Sequence, residues 1–167
     1  MIAHDGQEGD AGAARRTLAI DLEELVWALN SRDPLGLGSH WLNLESGELL
    51  FLANPDVLDE AGEDPRDVLQ DRDNWLPVEA IESSEAFRIM EDFVDQCGDS
   101  RLAHALAQAL QQRKPFRRFK DTLADHAAQR EAWFAFERLA MEAIARRWCA
   151  DHGISPRWIP RPRLPSP

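Results

Sequence analysis

His40-Trp41-Leu42-Asn43-Leu44, Glu45-Ser46-Gly47 and Glu48-Leu49-Leu50-Phe51-Leu52 follow one another without a gap. Two apolar runs flank a short polar break that ends in glycine, which is the spelling of an antiparallel β-hairpin. Gly47 supplies the positive φ that such a turn requires. In the first run Leu42 and Leu44 alternate with Trp41 and Asn43, so one face can be buried. A lone hairpin is marginal in water. This one therefore needs helices packed on it, or a third strand. Trp75-Leu76-Pro77-Val78 is a short candidate for that strand. Its proline has no N–H to give a ladder and predicts an edge position.

Before the hairpin, Asp21 followed by Glu24 resembles a capping box and starts a helix over about Asp21 to Asn30. Leu22, Leu25, Val26 and Leu29 fall on one face of it. Asp33-Pro34, Gly36 and Gly38 end it. Residues 1–16 are rich in Gly, Ala and Asp and hold too little apolar surface to fold, so a disordered tail is expected there. After the hairpin, Asn54 to Asn74 reads as a solvated acidic loop. Its carboxylates do not keep the spacing of a calcium-binding EF-hand loop.

The rest reads as helix. Ser83 or Ser84 caps a segment through about Cys97, with Phe87, Met90, Phe93 and Val94 on one face and Gly98 as the stop. Ser100 starts the next, with Leu102, Leu106 and Leu110 inward. Lys114-Pro115 interrupts, and Pro115 suits the first turn of a new helix. That helix carries Phe116, Phe119 and Leu123 at helical spacing. A long helix over about Gln129 to Asp151 places Trp133, Phe136, Leu139 or Ala140, Ala143, Ile144 and Trp148 in a buried stripe, with Gly153 ending it. Residues 154–167 are rich in Pro and Arg, so polyproline II or disorder is expected. The fold class is therefore α+β, with a small antiparallel sheet built on the hairpin and packed against a bundle of about five helices in the C-terminal half. Residues 17–153 form a single domain between two tails.

Composition narrows the function classes. The chain has 167 residues, enough for one core without disulfides or metals. No apolar run has the length of a membrane span, and residues 1–16 lack the apolar stretch of a signal peptide, so a cytoplasmic protein away from membranes is expected. Cys97 and Cys149 sit in helical patterns and read as small packed thiols. The net charge of −11 is uneven. Residues 1–99 hold 24 acids against 6 arginines, whereas residues 100–167 hold 6 acids against 13 Lys and Arg. Net acidity disfavours loose binding to nucleic acid or anionic lipid, while the basic half keeps room for a local anion site.

Phe116-Arg117-Arg118-Phe119-Lys120-Asp121, preceded by Glu85-Ala86-Phe87-Arg88-Ile89-Met90-Glu91-Asp92-Phe93 and followed by Ala132-Trp133-Phe134-Ala135-Phe136, resembles a bacterial family. That family is the uncharacterised protein family (UPF) number zero-one-five-eight, and the likeness spans roughly residues 20 to 153. The hairpin turn and Trp75-Leu76-Pro77 share in it. Two departures show. Lys114-Pro115 stands where members usually have a Gly-Ala pair, and Phe136-Glu137-Arg138 stands where they tend to have Phe-Arg. The resemblance supports the fold and implies no activity.

The strongest functional candidate is the basic block. Arg113, Lys114, Arg117, Arg118 and Lys120 lie within eight positions with no acid among them. Guanidinium forks suit carboxylate and phosphate. With Phe116 and Phe119 inward, Arg117 and Lys120 share a neighbouring surface and Arg118 projects elsewhere. Asp121 can pair with Arg117 at i,i+4. Of the adjacent Trp133 and Phe134, only one can face the core, so Phe134 is a candidate exposed aromatic. The five histidines keep no metal-ligand spacing, and neither a phosphate loop nor a nucleophile elbow occurs. No cofactor or catalytic residue is expected. The residues point to a non-enzymatic binding module that recognises a protein partner, a second copy of itself or an anionic ligand. A nucleic-acid-associated regulatory factor is the first alternative, and a phosphate-ester hydrolase the second.

Overall fold

The structure, a computed structural model, describes residues 15–33, 35–54, 69 and 72–160. Strand β1 (Arg16–Asp21) runs directly into helix α1 (Leu22–Asn30). Asp21 makes the switch: one carboxylate oxygen accepts the N–H groups of Glu23 and Glu24 at 2.9 and 3.1 Å. Those two donors have no partner within the helix itself.

The hairpin consists of β2 (Gly38–Asn43) and β3 (Leu49–Ala53), paired antiparallel with Leu42 opposite Leu49. Asn43 shapes the turn, its side-chain oxygen accepting the N–H of Glu45 and of Ser46 at 2.8 and 2.9 Å. Gly47 takes φ 78°. A Cβ there would also collide with the carbonyl oxygen of Ala19, because the turn rests on β1. Strand β4 (Trp75–Val78) follows a short 3₁₀ turn at Arg72–Asn74 and pairs antiparallel with β2, giving the order β3-β2-β4. Pro77 thus occupies the edge that its missing N–H requires.

Four helices follow: α2 (Ser83–Gln96), α3 (Ser100–Leu110), α4 (Pro115–Ala124) and α5 (Ala127–Asp151). The described residues therefore make an α+β fold with five helices, four of them after residue 82. Asp99, not Ser100, caps α3, its carboxylate accepting the N–H groups of Arg101 and Leu102 at 3.0 Å each. Those bonds hold the Asp99 carboxyl below its ordinary pKa. Glu82 occupies the cap of α2 and gives no side-chain hydrogen bond, so neither Ser83 nor Ser84 caps it.

The C-terminal stretch departs from expectation. Ile154–Ile159 forms strand β5, parallel to β1, with Leu18 opposite Pro156 and Ile20 opposite Trp158. The chain therefore does not leave the fold at Gly153. Pro156 is tolerated because β5 has only one hydrogen-bonded neighbour, so one of its edges needs no donor. At the other end Arg16 already belongs to β1. Residues 1–14 of the expected N-terminal tail, 55–68, 70 and 71 of the acidic loop and the last seven residues lie outside the described residues.

The core joins both sheets to the helices. It includes Leu18, Ile20, Leu25, Leu29, Leu42, Phe93, Leu106, Phe119, Trp133, Met141, Ala145 and Cys149. The ring of Trp133 meets Phe119 and Phe93 edge-on, with centroids 4.9 and 5.4 Å apart. Along α5 the buried stripe differs from the expected one. Trp133 and Ile144 are buried as expected and Phe136, Ala140 and Trp148 are half-buried, but Leu139 and Ala143 are exposed, and Met141, Ala145 and Cys149 are buried as well. Near the start of the long helix Trp133 meets Phe93 of α2 and Phe119 of α4, and near its end Arg146 lies over the Trp158 ring of β5, so its buried face rotates along its length. Both cysteines are unpaired thiols, and Cys149 is fully buried. No helix among the described residues is long and apolar enough to cross a membrane.

Candidate functional site

Helix α4 opens on Lys114, whose φ of 58° and ψ of 55° lie in the left-handed region. A side chain there costs energy that glycine would not, and Pro115 then fixes the first helical residue. Phe119 is fully buried and Phe116 half-buried. These two anchors orient the cations around them.

The cations divide between two places. Arg113, Lys114, Arg117 and Arg118 are exposed. The Arg117 guanidinium stands 3.7 Å from the Asp121 carboxylate, between side chains 77% and 69% exposed, a pair that solvent weakens. Arg118 donates through Nε to the carbonyl oxygen of Arg113 at 3.1 Å. Among the described residues, no acid from another element engages these four. Lys120 turns away from them and lines a cleft of about 380 Å³ together with Phe116, Trp133 and Glu137. Phe134 is 50% exposed on α5, one turn from Arg130 and from Arg138. No cation–π contact joins it to the α4 cations among the described residues. The structure therefore leaves Arg113, Lys114, Arg117, Arg118 and Asp121 on the α4 surface and does not bring Lys120 or Phe134 into one pocket with them.

The cleft contains residues that the sequence did not single out. Asn30, Ser31 and Arg32 come from the end of α1, Ile81 from the approach to α2, Ile89 and Met90 from α2, and Met141 from α5. A backbone bond from the N–H of Ile81 to the carbonyl of Leu29, 2.8 Å long, holds the first two segments together. The Arg32 guanidinium lies 4.5 Å from the centre of the Phe116 ring, a cation–π contact that ties α1 to α4. Burial pushes the Glu137 carboxyl above its ordinary pKa, while the Lys120 ammonium pulls it back. No sequence pattern marks this grouping, because its parts come from separate stretches of chain. Among the described residues no cluster of His, Cys, Asp and Glu side chains is placed to hold a metal ion.

These features define an α+β protein whose distinctive chemistry is a cationic helix surface beside a mixed cleft. The chain belongs to the uncharacterised protein family UPF0158, whose family model matches residues 15–158. A UPF0158 protein of Pseudomonas aeruginosa is 30% identical over 156 residues, covering 91% of this chain and 96% of the relative. No solved structure matches the chain.

Proposed function

We propose that this protein is a binding module without catalysis of its own, which holds an acidic face of a protein partner on the outward side of α4. The observation that carries this reading is the state of Arg113, Lys114, Arg117 and Arg118. All four are exposed within six positions, and among the described residues none is neutralised by a carboxylate from another element. Arg117 has only its solvent-weakened pair with Asp121, and the other three have no carboxylate partner among the described residues, which supports an intermolecular contact. The acidic N-terminal portion of a second copy is one such face. A reducing, cytoplasmic setting fits the two unpaired thiols.

The test is fluorescence anisotropy with a labelled octaglutamate peptide, from about 20 mM to about 500 mM salt. Binding should weaken steeply as salt rises. The variant with Arg113, Lys114, Arg117 and Arg118 all changed to Ala should lose most of it. Equal binding by that variant defeats the proposal.

A nucleic-acid role is the second reading, favoured by the exposed Phe134 between Arg130 and Arg138 on one helix face. Such an aromatic can stack a base while its cations meet phosphate. Filter binding of single-stranded DNA by Phe134→Ala tests it, and unchanged retention removes the reading.

A further inference from the structure

One face of the hairpin is unevenly covered. His40 and Leu42 of β2 point to the same side of the sheet as Phe51 and Leu49, their partners on β3. Leu42 is fully buried there, whereas Phe51 is 45% exposed, and Trp27 of α1 is 61% exposed. The Trp27, His40 and Phe51 rings form a row, with successive centroids 4.8 and 4.9 Å apart. Glu23 and Glu24 precede Trp27 by one helical turn and so lie on its side of α1. With Trp27, His40, Leu49 and Phe51 they line one groove of about 460 Å³. Among the described residues neither carboxylate has an ion-pair partner. Desolvation lowers the His40 pKa, so the floor of the groove adds no positive charge at neutral pH. Unpaired carboxylates beside exposed aromatic rings select a cation that can stack on a ring and bond a carboxylate at once. The guanidinium group does both.

The same chain carries guanidinium groups that lack such a site. Arg113, Arg117 and Arg118 stand exposed with Lys114 at the start of α4, and no acid from another element engages them among the described residues. Within one molecule the two patches lie apart. Phe116 of α4 meets Arg32 just past the end of α1, whereas Glu23 and Glu24 occupy the first turn of α1, about 10 Å back along its axis. We propose that the groove docks α4 of a second copy of this chain, with Arg117 against Trp27 and Phe51 and its guanidinium bonded to Glu23 and Glu24. Arg117 is the stacked cation because its one contact is the solvent-weakened pair with Asp121, while the Arg118 Nε is already bonded to the Arg113 carbonyl. Arg113, Lys114 and Arg118 add charge at the rim. This contact rests on the α4 reading above and names its partner. Its two faces differ, so it joins copies head to tail and does not close on a dimer. The net charge of −11 opposes approach in other orientations.

The test is sedimentation equilibrium of the full chain at about 150 mM salt, with the average mass followed as concentration rises to about 1 mM. The wild type should pass beyond the mass of a dimer. Glu23→Lys with Glu24→Lys should weaken self-association about tenfold or more, and so should Arg117→Glu with Arg118→Glu, because like charges then face each other. An equimolar mixture of these two double variants should recover it, since each reversed face finds its complement on the other chain. That recovery also shows both variants to be folded. Trp27→Ala keeps both carboxylates and removes the ring, and should weaken the contact about tenfold. A wild type that stays monomeric up to about 1 mM overturns the proposal. So does a mixture that stays monomeric, or wild-type association in either double variant, which would mean that something other than α4 fills the groove. Octaglutamate binding keeps the two readings apart: a wild type that binds the peptide yet stays monomeric retains the α4 surface and loses only the second copy as its partner.

Discussion

Truncating Trp133 to alanine tests the packing on which both candidate sites stand. The side chain is 1% exposed and is wedged against Phe93 and Phe119. A buried tryptophan removes roughly 150–250 Å² from water. At about 25 cal/mol per Å², with the methyl group retained and a cavity left behind, the loss comes to roughly 3–5 kcal/mol. Deleting the unpartnered indole N–H returns about 1 kcal/mol of that, since its burial was a cost. The net expectation is a loss of about 2–4 kcal/mol. For a domain of this size that is a fall in Tm of roughly 4–16 °C. Trp148, on the same helix, is half-buried and lies over His152 with ring centroids 4.3 Å apart. Trp148→Ala should cost only about 1–2 kcal/mol. Urea melts followed by far-ultraviolet circular dichroism measure both. A Trp133→Ala loss no larger than that of Trp148→Ala would refute the placement of Trp133 as the centre of the core.

Two further outcomes are expected. Lys114→Gly should raise stability by about 0.5–1 kcal/mol, because glycine meets a φ of 58° without the left-handed penalty. An unchanged or lower urea midpoint would show that position to be unstrained. His40 is buried beside Trp27 and Phe51, and desolvation lowers its pKa below 6.5. The unfolded chain therefore takes up a proton near pH 6.5 that the folded chain refuses. Stability is fully present above that pH and falls as pH drops from it toward the lower folded pKa. The stability gap between wild type and His40→Phe, read from urea midpoints at about pH 7.5 and about pH 5.5, should shift in the variant's favour at the lower pH. A gap independent of pH would refute the assignment.

Local spacing decided much of this protein. The hairpin was legible because a three-residue break ending in glycine fixes the turn wherever the chain goes next. The edge place of Trp75–Val78 followed from one proline. The helices were legible because burying one face imposes a helical period on leucines and phenylalanines, and Phe119 with Leu123 fell where that period put them. The same period told that Trp133 and Phe134 must part, one inward and one out. Arg117 and Lys120 are both exposed, yet they do not share the one surface expected of them, because Lys120 lines the cleft beside Phe116.

Tertiary packing decided the rest. β5 was hidden because its prolines speak against a strand, and only β1, which lies at the opposite end of the chain, supplies the neighbour that makes it one. The rotation of the buried face along α5, from Trp133 and Met141 to Ala145 and Cys149, depends on which elements lie beside each turn, and a single helix cannot state that. Arg32, Lys120, Trp133 and Glu137 share a cleft because α1, α4 and α5 dock together there. No one stretch of chain records that meeting, since each of those residues satisfies its own local pattern equally well whether or not the other segments arrive.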